Sequence, residues 1–539
     1  MSTYRSMIQV ALCGLVVAAS HLSAQSTPMW RYTATAEIAL GPVTPIGSLL
    51  FTTPGQLVAL DPATGTASWK LEDLQITGDR WWISALSWTP YGLLDLGDRL
   101  AVIDLQTGAR RWDTTTLLIG SLKGYLAVPE RLLLLVYGVW GSDSSVLAAV
   151  DVASGQVRWR HLDPFTTPPK RYRALTSGQR QLGSSLADES PALWVTDSTF
   201  LLYLSEDGPV LVNVNTGAFL WRAESLKGRR PPAARDLYPP SVIAESVAYI
   251  PSEKEVYAIR LRDGTPLWAN PPGFPSRVLQ LELTSGGLAV RGVRREHDAL
   301  KDGSFVDLLD PATGASRWPK QFRRGWSVFH SHDAPAVISP FVVRGERLYC
   351  VTEGKLNALA LGDGAVKELG KVHFKGDEDP ELLENRPDGI LLLSMQNVLL
   401  VDTSGAARYQ SYYPAPPIGI LGHIGSILLR VAFDFASYSL AQSTANRTGV
   451  SQPYAQYDNP FLRIRYAAAA AAQDYIYLLT SGKDSAGEAR SSVVKVSKDR
   501  NRVEGRVWLS ERHPDWVLDP IGGVLYVKTG SQEVSAFRF

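Results

Sequence analysis

The stretch Leu57-Val58-Ala59-Leu60-Asp61-Pro62-Ala63-Thr64-Gly65, followed four residues later by Trp69, decides how this chain folds. An apolar run ends at an aspartate, whose side chain can bond the backbone of the turn that follows. The glycine supplies the positive φ that closes the hairpin. The tryptophan then begins the next strand with a large apolar ring and a single N–H donor.

The same pattern recurs along the chain. Ala101-Val102-Ile103-Asp104 leads to Gly108 and Trp112, and Ala148-Ala149-Val150-Asp151 leads to Gly155 and Trp159. Leu211-Val212-Asn213 leads to Gly217 and Trp221, and Tyr257-Ala258-Ile259 to Gly264 and Trp268. Leu308-Leu309-Asp310-Pro311 leads to Gly314 and Trp318, and two altered copies follow at Gly364 with Leu369 and Gly405 with Tyr409. Successive glycines lie 43, 47, 62, 47, 50, 50 and 41 residues apart. That period fits a four-stranded propeller blade and is too long for a leucine-rich or ankyrin unit.

Upstream of each motif sits a second strand pattern, such as Val247-Ala248-Tyr249-Ile250 or Leu348-Tyr349-Cys350-Val351. The expected fold class is therefore all-β, a single β-propeller of four-stranded blades. Trp30-Arg31-Tyr32 reads as an outer strand whose blade lacks a beginning, and Val524–Phe537 as inner strands without a following tryptophan. Joining the two ends in one blade would close the ring and hide its sheet edges. Each docking tryptophan is read first as structural, its ring packed between neighbouring blades.

Residues 1–24 read as a secretory signal: Arg5 is followed by the apolar Met7–Ala19, and Leu22-Ser23-Ala24 precedes Gln25. The apolar stretch is too short for a transmembrane anchor. Cys13 lies inside it, not after a small residue at its end, so the chain is not expected to be a lipoprotein. Residues 25–539 form the propeller, located in the periplasm or outside the cell after secretion across the inner membrane. The mature chain keeps only Cys350, which precludes an internal disulfide and reads as a core thiol.

With 54 Lys and Arg against 53 Asp and Glu, the net charge is +1. No single-sign field favours nucleic acid as the partner. Residues 413–472 depart from the repeat, and the run Ala467–Ala472 suggests a partly helical insertion. His330-Ser331-His332-Asp333 is a metal candidate, since alternation puts His330 and His332 on one face beside a carboxylate; the competing reading is an inter-blade loop. Asp377-Glu378-Asp379, with Glu381 and Glu384, offers oxygen ligands without the spacing of a calcium loop. No catalytic residues or cofactor-binding residues stand out.

The repeats resemble the tryptophan-docking propellers of the quinoprotein dehydrogenase superfamily, and also the propeller subunit of the bacterial outer-membrane barrel-assembly machinery. The resemblance spans nearly the whole mature chain. It implies eight blades, although the repeats themselves leave room for more. It implies two functions as well. The enzymatic branch uses adjacent cysteines beside the quinone, with calcium or a lanthanide, and a single mature cysteine departs from that pattern. The non-catalytic branch implies a scaffold that binds another envelope protein and needs no cofactor. The preferred reading is that scaffold. The alternatives are a pyrroloquinoline-quinone-like (PQQ with calcium) or metal-dependent dehydrogenase, and a sugar- or peptide-binding propeller.

Overall fold

The apolar run of the repeat is buried from two sides at once. Leu57, Val58, Ala59 and Leu60 are each at most 1% exposed. Val58 and Leu60 pack toward the sheet that precedes them around the ring, and Leu57 and Ala59 toward the sheet that follows. Successive side chains of a strand point to opposite faces, so a strand covered on both sides is continuously apolar.

The computed structural model describes the chain outside residues 1–26, 73, 75–81, 87, 97–98, 129–131, 141–143, 163–191, 197, 205–207, 228, 230–240, 245, 253, 294–302, 325–337, 377, 417–458, 485 and 510–514. The signal segment and most of the 413–472 region therefore lie outside the described residues.

Blade one consists of Ala39–Val43, Leu49–Thr53, Gln56–Leu60 and Ala67–Leu71, paired antiparallel in chain order. Blades two, three, four, six, seven and eight repeat that order over residues 82–113, 121–162, 192–222, 277–324, 342–371 and 382–412. Blades five (242–260) and nine (475–508) each carry three strands among the described residues. In blade five the fourth strand shrinks to a bridge between Ile259 and Pro266, where proline offers no N–H to a longer ladder.

Blade ten joins the chain ends. Trp516–Asp519, Val524–Gly530 and Glu533–Arg538 are completed by Trp30–Thr33, with Trp30 opposite Ala536 and Thr33 opposite Glu533. The expected closure by terminal strands is thus present. The described residues form ten blades, more than the eight that the resemblance implies and within the room the repeats left.

Ten apolar clusters hold the ring, one at each seam between consecutive blades, and the last returns from blade ten to blade one. In blades one to four the strand register slips by one residue just before the tryptophan of the fourth strand. Such a bulge bends the strand and re-aims the side chain beside it.

Two glycines separate the backbone cost from the packing cost. Gly155 has φ +74, and a Cβ there would lie 2.5 Å from the Trp112 ring; Gly55 has φ +78 and open space around it. Gly155→Ala is expected to cost about 2–4 kcal/mol through backbone strain plus displacement of the indole. Gly55→Ala should cost about 1 kcal/mol through strain alone. Chemical denaturation of both variants checks this, and equal losses would mean that the ring is not fixed against the turn.

Candidate functional site

The side chains that the repeat places at constant positions meet at the seams. The turn after the third strand of blade three shows how. Asp151 Oδ1 accepts from the backbone N–H of Ala153 at 3.1 Å and of Ser154 at 2.9 Å, and Gly155 N–H donates to Asp151 O at 2.9 Å. Burial opposes the charged carboxylate, but the bonds from Arg158 and Ser154 outweigh it and hold Asp151 below its ordinary range. The turn presents Val152 O and the bare face of Gly155 to blade two. Trp112 of that blade lays its ring on the glycine and donates Nε1–H to Val152 O at 2.8 Å.

The same dock occurs at seven seams, made by Trp30, Trp69, Trp112, Trp159, Trp221, Trp268 and Trp318. Each indole donates to a backbone carbonyl of the following blade at 2.7 to 3.2 Å. A Cβ on the receiving Gly65, Gly108, Gly155, Gly217, Gly264, Gly314 or Gly364 would fall 2.4 to 2.7 Å from the ring. The glycine and the tryptophan of one repeat therefore do not meet each other: Gly65 receives Trp30, and Trp69 of the same repeat docks on Gly108. Replacing Trp159 with Phe leaves the buried Val214 carbonyl without its donor and is expected to cost about 1–3 kcal/mol. Trp159→Ala should cost about 3–5 kcal/mol. Urea denaturation gives both values, and an unchanged stability in Trp159→Phe would show that the hydrogen bond contributes nothing beyond ring burial.

The last three seams before closure use other groups. Leu369 lies on Gly405 between blades seven and eight. There Arg344 reaches across to Arg386 O, Gly389 O and Pro387 O at 2.5 to 2.8 Å, and Asn385 returns a bond to Val343 O. Between blades eight and nine Tyr409 takes the tryptophan's place and donates its hydroxyl to Lys498 O. Arg386 there bonds Asp474 and Asp499, and Lys498 pairs with Glu384. Between blades nine and ten the partners are exchanged. Gly505 holds the tryptophan's position, and Phe539 comes within 2.8 Å of where its Cβ would be.

The acidic group noted in the sequence is divided among separate tasks. Glu384 belongs to the ion-pair network just described. Glu378 accepts from Ser394 Oγ, Gln396 N–H and Asn397 Nδ2, which clips its loop to the turn between the second and third strands of blade eight. Asp377 lies outside the described residues, and so do His330, His332 and Asp333. Among the described residues no group of three or more His, Cys, Asp or Glu side chains is arranged to hold a metal ion.

Glu381 is half-buried, and burial, aided by the charge of Glu378, pushes its carboxyl up to about 7. Folding holds that proton, so the native state is penalised as pH climbs above the ordinary glutamate range, and the penalty is complete above about 7. Glu381→Gln should therefore raise the melting temperature relative to wild type at pH 8, with little change at pH 4. Melting curves at the two pH values check it, and an equal shift at both would exclude the proton.

The alanine run Ala467–Ala472 lies in a helix, α1, Pro460–Ala472, and the blade ends it meets are ones that no sequence motif marks. Proline fits its first turn, and the Asn459 side chain caps it by accepting from the N–H groups of Phe461 and Leu462. Arg465, midway along, pairs with Asp519 of blade ten through two bonds at 2.8 and 2.9 Å and donates Nε–H to Pro45 O of blade one. Tyr466 meets Trp88 of blade two edge-on, with centroids 4.8 Å apart. No helix among the described residues is long and apolar enough to cross a membrane.

A family model described as outer membrane protein assembly factor BamB matches residues 93–281. Among solved structures, BamB from Moraxella catarrhalis is 11% identical, with 95% of this chain and 100% of that chain covered at a TM-score of 0.30. Two quinohemoprotein alcohol dehydrogenases are each 13% identical. The one from Pseudomonas putida HK5 covers 76% of this chain and 81% of its own at a TM-score of 0.30. The one from Comamonas testosteroni covers 70% and 72% at 0.34. Likenesses this slight do not bear on activity. No curated protein matches the chain. The repeats, the ten-bladed ring and the family match together make this a β-propeller of PQQ-like repeats.

Proposed function

We propose that this chain is an exported, non-catalytic propeller whose ring presents loops to another protein of the cell envelope. One observation carries the reading: the aromatic, acidic and basic side chains that recur with the repeat are engaged in blade-to-blade and turn contacts. A frame held this way can vary its surface loops without losing its geometry. The match to a model described as an outer membrane assembly factor supports the same reading. The signal-like residues 1–24 support export.

The quinone-dependent alternative meets an obstacle in the chain itself. The resemblance to its enzymatic branch implies neighbouring cysteines beside the quinone. Cys350 is the sole mature cysteine and is fully buried in the apolar layer between blades six and seven. The residues present do not fit that group. The metal-dependent alternative rests on His330, His332 and Asp333. A sugar or peptide ligand at the ring's centre is the third reading.

The deciding experiment is crosslinked capture of the tagged mature protein from its native envelope, read by mass spectrometry. A reproducible partner at near-stoichiometric yield is expected. Dye reduction on adding quinone and calcium to the purified protein, with no such partner captured, would replace the scaffold with a dehydrogenase.

A further inference from the structure

We propose that helix α1 is a clasp that holds the ring shut on its inner side, at the seam where the two ends of the chain meet. That seam has an evident need for one. Blade ten is joined to the N-terminal strand without a covalent link, through four facing residue pairs, Trp30–Thr33 against Glu533–Ala536, and backbone bonds from Met29, Ala34 and Ile38 to Ala536, Gln532 and Ser531. On the outer strand the seam is fastened by Trp30, which docks on Gly65 and donates to Pro62 O at 2.9 Å. The first strands, which lie nearest the axis of a propeller, have no indole dock. The three seams that precede this one are also held without an indole.

Arg465 reaches that inner position. Its guanidinium bonds both oxygens of Asp519, at the end of the first strand of blade ten, and its Nε–H bonds Pro45 O in the first turn of blade one. The Arg465 side chain is 14% exposed and that of Asp519 is 2% exposed. The Asp519 carboxylate is further held by Gly522 N–H at 3.0 Å. The contact is close-fitting: a Cβ on Gly47 would stand 3.0 Å from Arg465 Nη1, and one on Gly522 would stand 2.4 Å from Asp519 Oδ2. A forked, desolvated pair of this kind is directional, and breaking it strands a buried charge. A solvated surface pair would contribute little.

The rest of the helix extends the grip over further blades. Asn459 Nδ2 approaches Gln106 Oε1 of blade two at 3.4 Å, and Tyr466 packs on Trp88 of the same blade. At the other end, Ala472 joins the apolar cluster between blades nine and ten. Thirteen residues at 1.5 Å rise span about 20 Å, enough to cross several blade ends. One short helix thus ties blades nine, ten, one and two.

The test is hydrogen exchange on the full mature chain, read peptide by peptide. Arg465→Met is expected to speed exchange in Trp30–Thr33 and in Trp516–Arg538 by roughly tenfold or more, and to leave blades three to six unchanged. Trp159→Phe serves as the contrast and should act at the seam of blades three and four instead. If Arg465→Met does not fold, Arg465→Lys keeps the charge without the fork, and a smaller rise in the same closing peptides is expected. A uniform rise around the ring, or no rise at the closing blade, overturns the proposal for either variant.

Discussion

Every sheet of this protein is apolar on both faces, and that constraint governs the rest of the molecule. A blade with two apolar faces cannot bury them alone. It needs a neighbour on each side, and those neighbours need theirs, until the row returns to its start. The ten seam clusters are that requirement satisfied, and Trp30–Thr33 within blade ten is the point where the circle becomes whole. The indole dock makes the arrangement specific. Apolar faces alone would permit sliding, whereas one N–H aimed at one carbonyl, over a glycine that alone leaves room for the ring, sets the spacing of the blades.

The dock is a solution to a geometric problem, and the later seams show other solutions. Tyr409 delivers an O–H where the tryptophan would deliver an N–H. Leu369 keeps the ring's contact with the glycine but has no donor, and Arg344 supplies three bonds to the next blade's backbone nearby. At Gly505 the bulk has moved to the other partner, Phe539. In each case apolar contact persists at the seam while the polar fastening changes residue and position.

The recurrent polar side chains of the described repeats are engaged in seams and turns. The acidic residues around Glu378 illustrate the point. As a sequence they resemble a set of cation ligands, but in space Glu378 caps a turn, Glu384 joins an ion-pair network, and Glu381 keeps its proton toward neutral pH. A propeller so arranged is well suited to holding variable loops in fixed relation, which is the property a docking scaffold uses.

The repeat was legible in the sequence because its determinants are local. Asp151, Gly155 and Trp159 sit within nine consecutive residues, and each demands a particular backbone or burial state. From that spacing came the blade and the propeller, and from the strand patterns of Trp30-Arg31-Tyr32 and Val524–Phe537 came the closure. Blade nine was not legible as a blade, because Asn501 stands at the positive-φ position where glycine is usual, and Gly505 where the tryptophan is expected. Which glycine receives which ring, the division of the acidic cluster, and the pairing of Arg465 with Asp519 were decided by the tertiary structure alone. Most of these contacts join residues far apart in the chain, from 16 positions for Glu378 with Ser394 to 420 for Arg465 with Pro45. Their existence depends on where ring closure places each blade end, which no local pattern encodes.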